Sequence, residues 1–299
     1  MNVQERWVAG RLNFPLPVLE EIACDIRRDI LTLLAHAGTG HTGGSLSGAD
    51  FLTAILFHEA TVDPFTPTWK DRDFWHVSHG HVTPLIYSAM GERGYFPLRD
   101  LLSFRTIHGH LQGHPSVKDT PGLEVSAGSL GQGLSVAVGA ALAAKMDRHP
   151  RRCFVCMGDG EQQEGSVWEA AMSAAHYKLD NLTAVIDVNR MQIDGPTSEV
   201  LGVEPLDEKY RAFGWEVFVV DGHDLAALLD AFTEAKNVKG KPSVLLAQTV
   251  MGKGWPEIED NFTWHGKPPT IEQADRALQG LGANYGGWWA RLEANGLKP

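Results

Sequence analysis

Two short segments carry the residues best suited to chemistry. Gly158-Asp159-Gly160 sets one carboxylate between two glycines, and Asn189 follows 30 residues on, in Asp187-Val188-Asn189. A carboxylate, an amide oxygen and a nearby main-chain carbonyl suit a hard divalent cation such as Mg²⁺, with coordination positions left for phosphate oxygens and water. The glycines let a diphosphate lie against the backbone, and a helix N-terminus beside them favours negative charge. A lone Gly-Asp-Gly is a plain strand-to-helix turn. Its pairing with an asparagine one strand later points to a metal-held diphosphate.

The elements around these segments must bring them to one place. Residues 153–157 form a short apolar run, 158–160 a tight turn, 166–177 a helical stretch opened by the capping-box pattern Ser166-x-x-Glu169, and 182–188 a second apolar run. This is a βαβ unit, with both strands apolar throughout as expected when both sheet faces are covered. Ligands bind beyond the carboxyl ends of strands in an open parallel sheet, so Asp159 and Asn189 fall on the same edge. Further strands are expected at 72–78, 215–220 and 243–249. Helices are expected at 18–37, 47–58 and 224–236, with a tightly packed, buried one at 131–147. The fold class is therefore α/β, a parallel β-sheet with helices on both faces. No internal repeat or linker divides the chain. Residues 1–299 read as one domain with an N-terminal helical extension, a loop at 251–269 and a small C-terminal tail.

Composition narrows the partners. The chain has 299 residues and a formal net charge of −11, without the broad positive field that drives nucleic-acid or anionic-membrane binding. No 18-residue apolar window suggests a membrane span, and residues 1–6 lack the apolar core of a signal peptide, so a cytoplasmic enzyme is the expectation. Cys153 and Cys156 are spaced C-x-x-C, but residues three apart on a strand face opposite ways; they read as core cysteines rather than a metal pair. The chain holds 32 Gly and 13 His, many of them side by side. His36, His58, His149 and His176 stand without glycine neighbours and read as structural, and His76 as a core or supporting residue. His79, His108, His110 and His223, the last in Asp221-Gly-His-Asp224, receive no role. Gly286-Gly-Trp-Trp289 is either a partner surface or a tail packed on its own domain.

Gly158-Asp-Gly160 followed by Val188-Asn189 resembles the thiamine-diphosphate motif, and the chain from about 18 to 270 resembles the N-terminal half of transketolase, in the form where that half is a separate subunit. Gly40-His41-Thr-Gly-Gly44, Ser78-His-Gly-His81, Gly113-His114-Pro115, Gly128-Ser-Leu-Gly-Gln-Gly133 and Trp264-His265-Gly266 match the family's motifs in order. Thr42, Ser129 and Met191 stand where many one-chain members have Pro, Pro and Ile. The resemblance implies the family's pyrophosphate-binding (PP-module) fold. It implies a divalent metal (Mg²⁺, or Ca²⁺ or Mn²⁺) held by Asp159, Asn189 and the Met191 carbonyl. His81, Gly160 and His265 would contact the diphosphate. Gly128, Ser129 and Leu130 would lie along the pyrimidine side. His41, His114 and His265 would act as catalytic groups facing the substrate.

The implied activity is transfer of a two-carbon ketol unit from a ketose (phosphate) to an aldose (phosphate). In the family, the glutamate that activates the cofactor lies in a second domain. The resemblance therefore implies a C-terminal partner subunit in an α₂β₂ assembly. Three other readings stay open: the α subunit of a 2-oxo acid dehydrogenase, a deoxyxylulose-phosphate-synthase-like enzyme, and a non-catalytic scaffold.

Overall fold

The computed structural model describes residues 3–295; the outermost residues of the expected 1–299 domain, and Met1 and Asn2 of the N-terminal segment, lie outside them. Five parallel strands form the sheet, β1 (Phe74–Val77), β2 (Cys153–Gly158), β3 (Leu182–Val188), β6 (Glu216–Asp221) and β7 (Ser243–Gln248), in the order β1-β2-β3-β7-β6. A two-residue hairpin, β4 (Met191–Gln192) and β5 (Gly195–Pro196), follows β3. The register sets Gly158 against Asp187, so the Gly-Asp-Gly turn and Asn189 leave the sheet at the same edge.

Apolar side chains of the strands divide by parity. Phe154, Cys156, Val185 and Leu245 face one core, and Cys153, Val155, Ala184, Ile186 and Val244 face the other. Cys153 and Cys156 thus lie on opposite faces, as a strand requires. The first core is covered by α1 (Leu16–Ala37), α3 (Ala49–Ala54), α4 (Thr83–Arg93) and α9 (Leu225–Asn237). The second is covered by α5 (Gln132–Met146), α6 (Gly165–His176) and α8 (Leu206–Ala212). Short α2 (Gly43–Ser47) and α7 (Thr197–Val200) border the strand ends, and α10 (Ile271–Gly280) and α11 (Tyr285–Ala294) close the tail. No helix among the described residues is long and apolar enough to cross a membrane.

Three local expectations are corrected. The region expected as one helix at 47–58 is α2, α3 and a π-helical turn, Ile55–Glu59. Ser166 does not cap α6: the helix begins at Gly165 after Glu164, and the Ser166 hydroxyl donates to the Gly131 carbonyl at 3.0 Å. A capping box does form at Thr270 and Gln273, opening α10. Helix α5 is buried along one face only; Val136 and Met146 are exposed on the other.

The tail packs on its own domain. The Trp288 indole N–H donates to Asp29 of α1 at 2.8 Å, Arg28 and Arg291 lie over its ring, and Trp289 meets His36 edge-on.

Candidate active site

Strand ends deliver most of the site. Beyond β1 come Ser78, His79, Gly80 and His81; beyond β2, Gly158-Asp159-Gly160; beyond β3, Asn189 and Met191; beyond β7, the segment leading to His265. Gly40-His41 enters between α1 and α2, and the loop before α5 brings His114, Gly128 and Leu130. Gly80 is required where two of these turns meet: a Cβ there would lie 2.8 Å from the Ala127 carbonyl carbon. Together they enclose a cavity of about 340 Å³ lined by His41, His79, His81, His114, His265, Gly128, Leu130, Asp159, Glu161, Asn189 and Met191, among others.

One end of the cavity is acidic and amide-rich. Asp159 is 2% exposed and accepts backbone N–H groups from Gly160 at 2.7 Å and Arg190 at 2.6 Å. Burial, and then the charge of Asp187, push its carboxyl up to about 7 despite those donors. Asn189 is oriented from both ends: its Nδ2 donates to Asp187 at 3.0 Å, and its Oδ1 accepts from the Met191 N–H at 3.0 Å. Asp187 also accepts from Ser47 at 2.6 Å and from Thr249, and burial raises its pKa. Glu161 accepts from Ser78, from the Gly131 N–H at 2.7 Å and from the Gly158 N–H at 3.2 Å, tying three turns together; burial pushes it up to about 6.

The other end is built of imidazoles. The rings of His41, His81 and His265 form a triangle with centroids 5.0, 5.1 and 5.7 Å apart. Burial lowers all three, His41 to about 4. At neutral pH each ring is neutral, with one N–H donor and one acceptor nitrogen. His79 packs behind His81, with Nδ1 3.3 Å from the Cys156 carbonyl and burial holding it at about 4. His41 Nδ1, His79 Nε2 and His265 Nδ1 are buried without a partner. The segments bearing His41 and His265 are fastened to each other: the Thr42 hydroxyl donates to the Lys267 carbonyl at 2.6 Å, and the Gly252 N–H to the Gly43 carbonyl at 3.0 Å.

The structure brings His41, His81, His114, Gly128, Leu130, Asp159, Gly160, Asn189, Met191 and His265 into the lining of one cavity. His114 is exposed at the rim, and Ser129 is exposed and outside the lining. Sequence reasoning passed over His79, Glu161 and Asp187. The signal for Asp187 was present: it is the one ionisable residue in the apolar run Leu182–Val188.

The donor set fits the implied groups. Among the described residues no three His, Cys, Asp or Glu cluster to hold a metal. One carboxylate plus an amide oxygen instead leaves positions for phosphate oxygens, as a hard cation prefers. Burial makes the Asp159 carboxylate costly to ionise unaided, a cost that a cation would offset, and the partnerless imidazole nitrogens of the same cavity suit an anion's oxygens.

The family model described as "Transketolase, thiamine diphosphate binding domain" matches residues 20–288. The chain belongs to the transketolase family. It is 41% identical over 263 residues to the 6-deoxy-6-sulfo-D-fructose transketolase subunit of Clostridium sp. (strain MSTE9), covering 88% of this chain and 96% of that one. It is 41% identical over 270 residues to an apulose-4-phosphate transketolase subunit from Actinobacillus succinogenes, covering 90% of this chain and 98% of that one. The transketolase structure from Campylobacter jejuni superposes with a TM-score of 0.86 at 31% identity, over 94% of this chain and 46% of that one. The chain therefore spans nearly all of two transketolase subunits and under half of a solved transketolase chain.

Proposed function

We propose that this chain is the diphosphate-binding subunit of a two-chain transketolase, transferring a two-carbon ketol unit from a ketose to an aldose with thiamine diphosphate and a divalent cation. One observation carries the reading: Asp159 and Asn189, from adjacent strand ends, share a single cavity with His41, His81, His114 and His265. The continuous sheet and the docked tail support reading the chain as one domain.

In this reading Asp159, the Asn189 side chain and the Met191 carbonyl hold Mg²⁺ or a similar cation. His81, Gly160 and His265 meet the diphosphate, and Gly128, Ser129 and Leu130 lie along the pyrimidine side. Thiamine diphosphate, when bound, supplies the carbanion stabilisation that amino-acid side chains lack. The protein's own part is positioning and proton movement. The imidazoles of His41, His114 and His265 can accept a hydroxyl proton and donate to a carbonyl oxygen as it gains charge. Such positioned groups commonly contribute about 10²–10⁴-fold.

A second subunit supplies the glutamate at the pyrimidine, giving α₂β₂; the near-complete match to two transketolase subunits supports this. The lining has no Lys or Arg, so a phosphate or sulfonate on the sugar is left to the partner.

The test is reconstitution. Mixed with its partner, the chain transfers ketol units only when both chains, thiamine diphosphate and Mg²⁺ are present. Full activity of the chain alone removes the two-subunit reading. Turnover of pyruvate in place of ketoses moves the enzyme to the 2-oxo acid dehydrogenase or deoxyxylulose-phosphate-synthase type. Cofactor binding without turnover of either leaves the scaffold.

A further inference from the structure

His223, from the Asp221-Gly-His-Asp224 segment, lies outside the cavity and touches none of the groups assigned above. It is nonetheless held with unusual definition. Its Nδ1 lies 2.8 Å from Asp50 Oδ2, and its Nε2 lies 2.9 Å from the Val250 backbone nitrogen, whose N–H it accepts. A nitrogen that accepts carries no proton, so the ring is the neutral form protonated on Nδ1.

The surroundings leave the ring little choice. Asp50 is gripped by both terminal nitrogens of Arg27, at 3.0 and 2.6 Å, and all three side chains are 12% exposed or less. Arg27 reaches past Asp50 to donate from Nε to the Lys253 carbonyl at 3.2 Å. The His223–Asp50–Arg27 chain therefore holds the 250–254 turn at both ends, by the Val250 N–H and the Lys253 carbonyl. Gly222 makes the approach possible: it donates to the Gln248 carbonyl at 2.8 Å, and a Cβ there would collide with Thr249 and Ala247.

That turn is the root of the His265 segment. Within it Gly252 donates to the Gly43 carbonyl at 3.0 Å, and Met251 fills the space beside Gly43, where a Cβ would lie 2.7 Å from its Cγ. Gly43 is two residues from His41. Downstream, Asp260 donates to the Met251 carbonyl, Trp264 to that of Asn261, and His265 to that of Phe262. With the bonds from Trp255 to Gly252, Ile258 to Trp255 and Asn261 to Ile258, backbone hydrogen bonds run from the turn that His223 holds to the backbone beside His265.

We propose that His223 is a positioning residue: through Val250 it fixes the 250–254 turn, and through that turn the placement of His265 against His41. Its importance for turnover rests on the role given to those two imidazoles above. The structural coupling is measurable without that role.

Two substitutions separate the ring's contacts. Asn reaches as far as Nδ1, so H223N keeps a donor for Asp50 and loses the acceptor for Val250. Gln reaches further, so H223Q presents a carbonyl oxygen to the Val250 N–H. Hydrogen–deuterium exchange on the full chain is the readout. Loss of one buried acceptor should speed exchange across 250–266 by about 3–10-fold in H223N. Residues 153–158 and 182–188 should stay at the native rate, and H223Q should return 250–266 most of the way. Affinity for thiamine diphosphate in the presence of Mg²⁺ should follow the same order, native, then H223Q, then H223N.

Native protection of 250–266 in H223N overturns the proposal. So does H223Q no better than H223N, or a rise spread equally over β2 and β3, which marks a general packing role. If H223N does not fold, H223Q decides alone: a protected segment supports the proposal and an open one overturns it. D159A keeps the two readings apart, because it should lose cofactor binding with no change of exchange in 250–266.

Discussion

Asp159 accepts the backbone N–H of Arg190 at 2.6 Å, so the carboxylate at the end of β2 is bonded to the residue that follows Asn189 on the next strand. Asp159 and the segment bearing Asn189 are thereby tied by one short bridge across the sheet edge. The cost falls on Asp159, which is buried and pushed up to about 7.

D159N should therefore separate stability from function. A carboxyl whose folded pKa exceeds its unfolded value near 3.8 costs stability as pH rises from about 4 towards 7. Removing the charge relieves that cost but sets an NH₂ against one of the Gly160 and Arg190 N–H donors, so the melting temperature of cofactor-free D159N relative to the native chain should rise between pH 5 and pH 7. Mg²⁺-dependent binding of thiamine diphosphate should be lost in the same variant. Melting curves at the two pH values and titration calorimetry check both; no relative rise, with binding retained, contradicts the assignment.

In the proposed site Asp187 would act on the ion through Asn189. It accepts from the Asn189 amide, Ser47 and Thr249. D187N places an NH₂ against at least one of these donors, freeing the Asn189 side chain to rotate. Groups that orient a metal ligand commonly contribute about 10–100-fold to affinity. We expect a loss of that size in Mg²⁺ affinity, read from the Mg²⁺ dependence of cofactor binding, with far-UV circular dichroism unchanged.

The buried histidines make a pH prediction with a fixed sign. His76, on β1, is held at about 4 by burial alone, against an ordinary value of 6.5. The unfolded chain takes up this proton as pH falls through 6.5, and the folded chain does not until about 4. Stability is full above 6.5 and declines between 6.5 and 4, by up to about 1.4 kcal/mol per pH unit for each such group. His41 and His79, also held at about 4, add to the slope. Asp159 and Glu161, raised by burial, contribute with the opposite sign in this window, so the test is the difference between native and H76Q in urea unfolding at pH 7, 6 and 5. H76Q should make the dependence on pH shallower in the acid direction; no difference from the native slope would mean that His76 takes up its proton equally in the folded and unfolded chains.

The tail gives a stability prediction. W288A removes the indole donor from Asp29, which is fully buried with a raised pKa, and the surface on which Arg28 and Arg291 rest. A loss of about 2 kcal/mol is expected for a partly exposed Trp with a buried hydrogen bond. Partner association, measured by sedimentation below the variant's melting point, should be unchanged, because the ring faces α1.

What could be read in advance follows from what each signal depends on. The βαβ unit around Asp159 was legible because apolar strands and a glycine turn are local properties. The Cys153 and Cys156 directions followed from strand geometry alone. Ser166-x-x-Glu169 misled because Ser166 is used by a distant group, the Gly131 carbonyl. The exposed face of α5 was hidden for the opposite reason: Val136 and Met146 are apolar, and nothing local distinguishes them from the buried Leu134 and Val138. His79, Glu161 and His223 gain their definition from residues 77, 83 and 173 positions away, which no pattern within a single window can register.

The fate of the three cysteines has a practical side. Cys153 and Cys156 are sealed in separate cores, burial pushing Cys153 up to about 12 and Cys156 higher still, and Cys24 is half-buried with its thiol raised as well. With so little thiolate available, alkylating reagents should leave the native chain unmarked. A cysteine introduced at an exposed position away from the cavity, such as Met146, would then be the sole attachment point for a fluorophore or spin label, without any prior removal of native thiols.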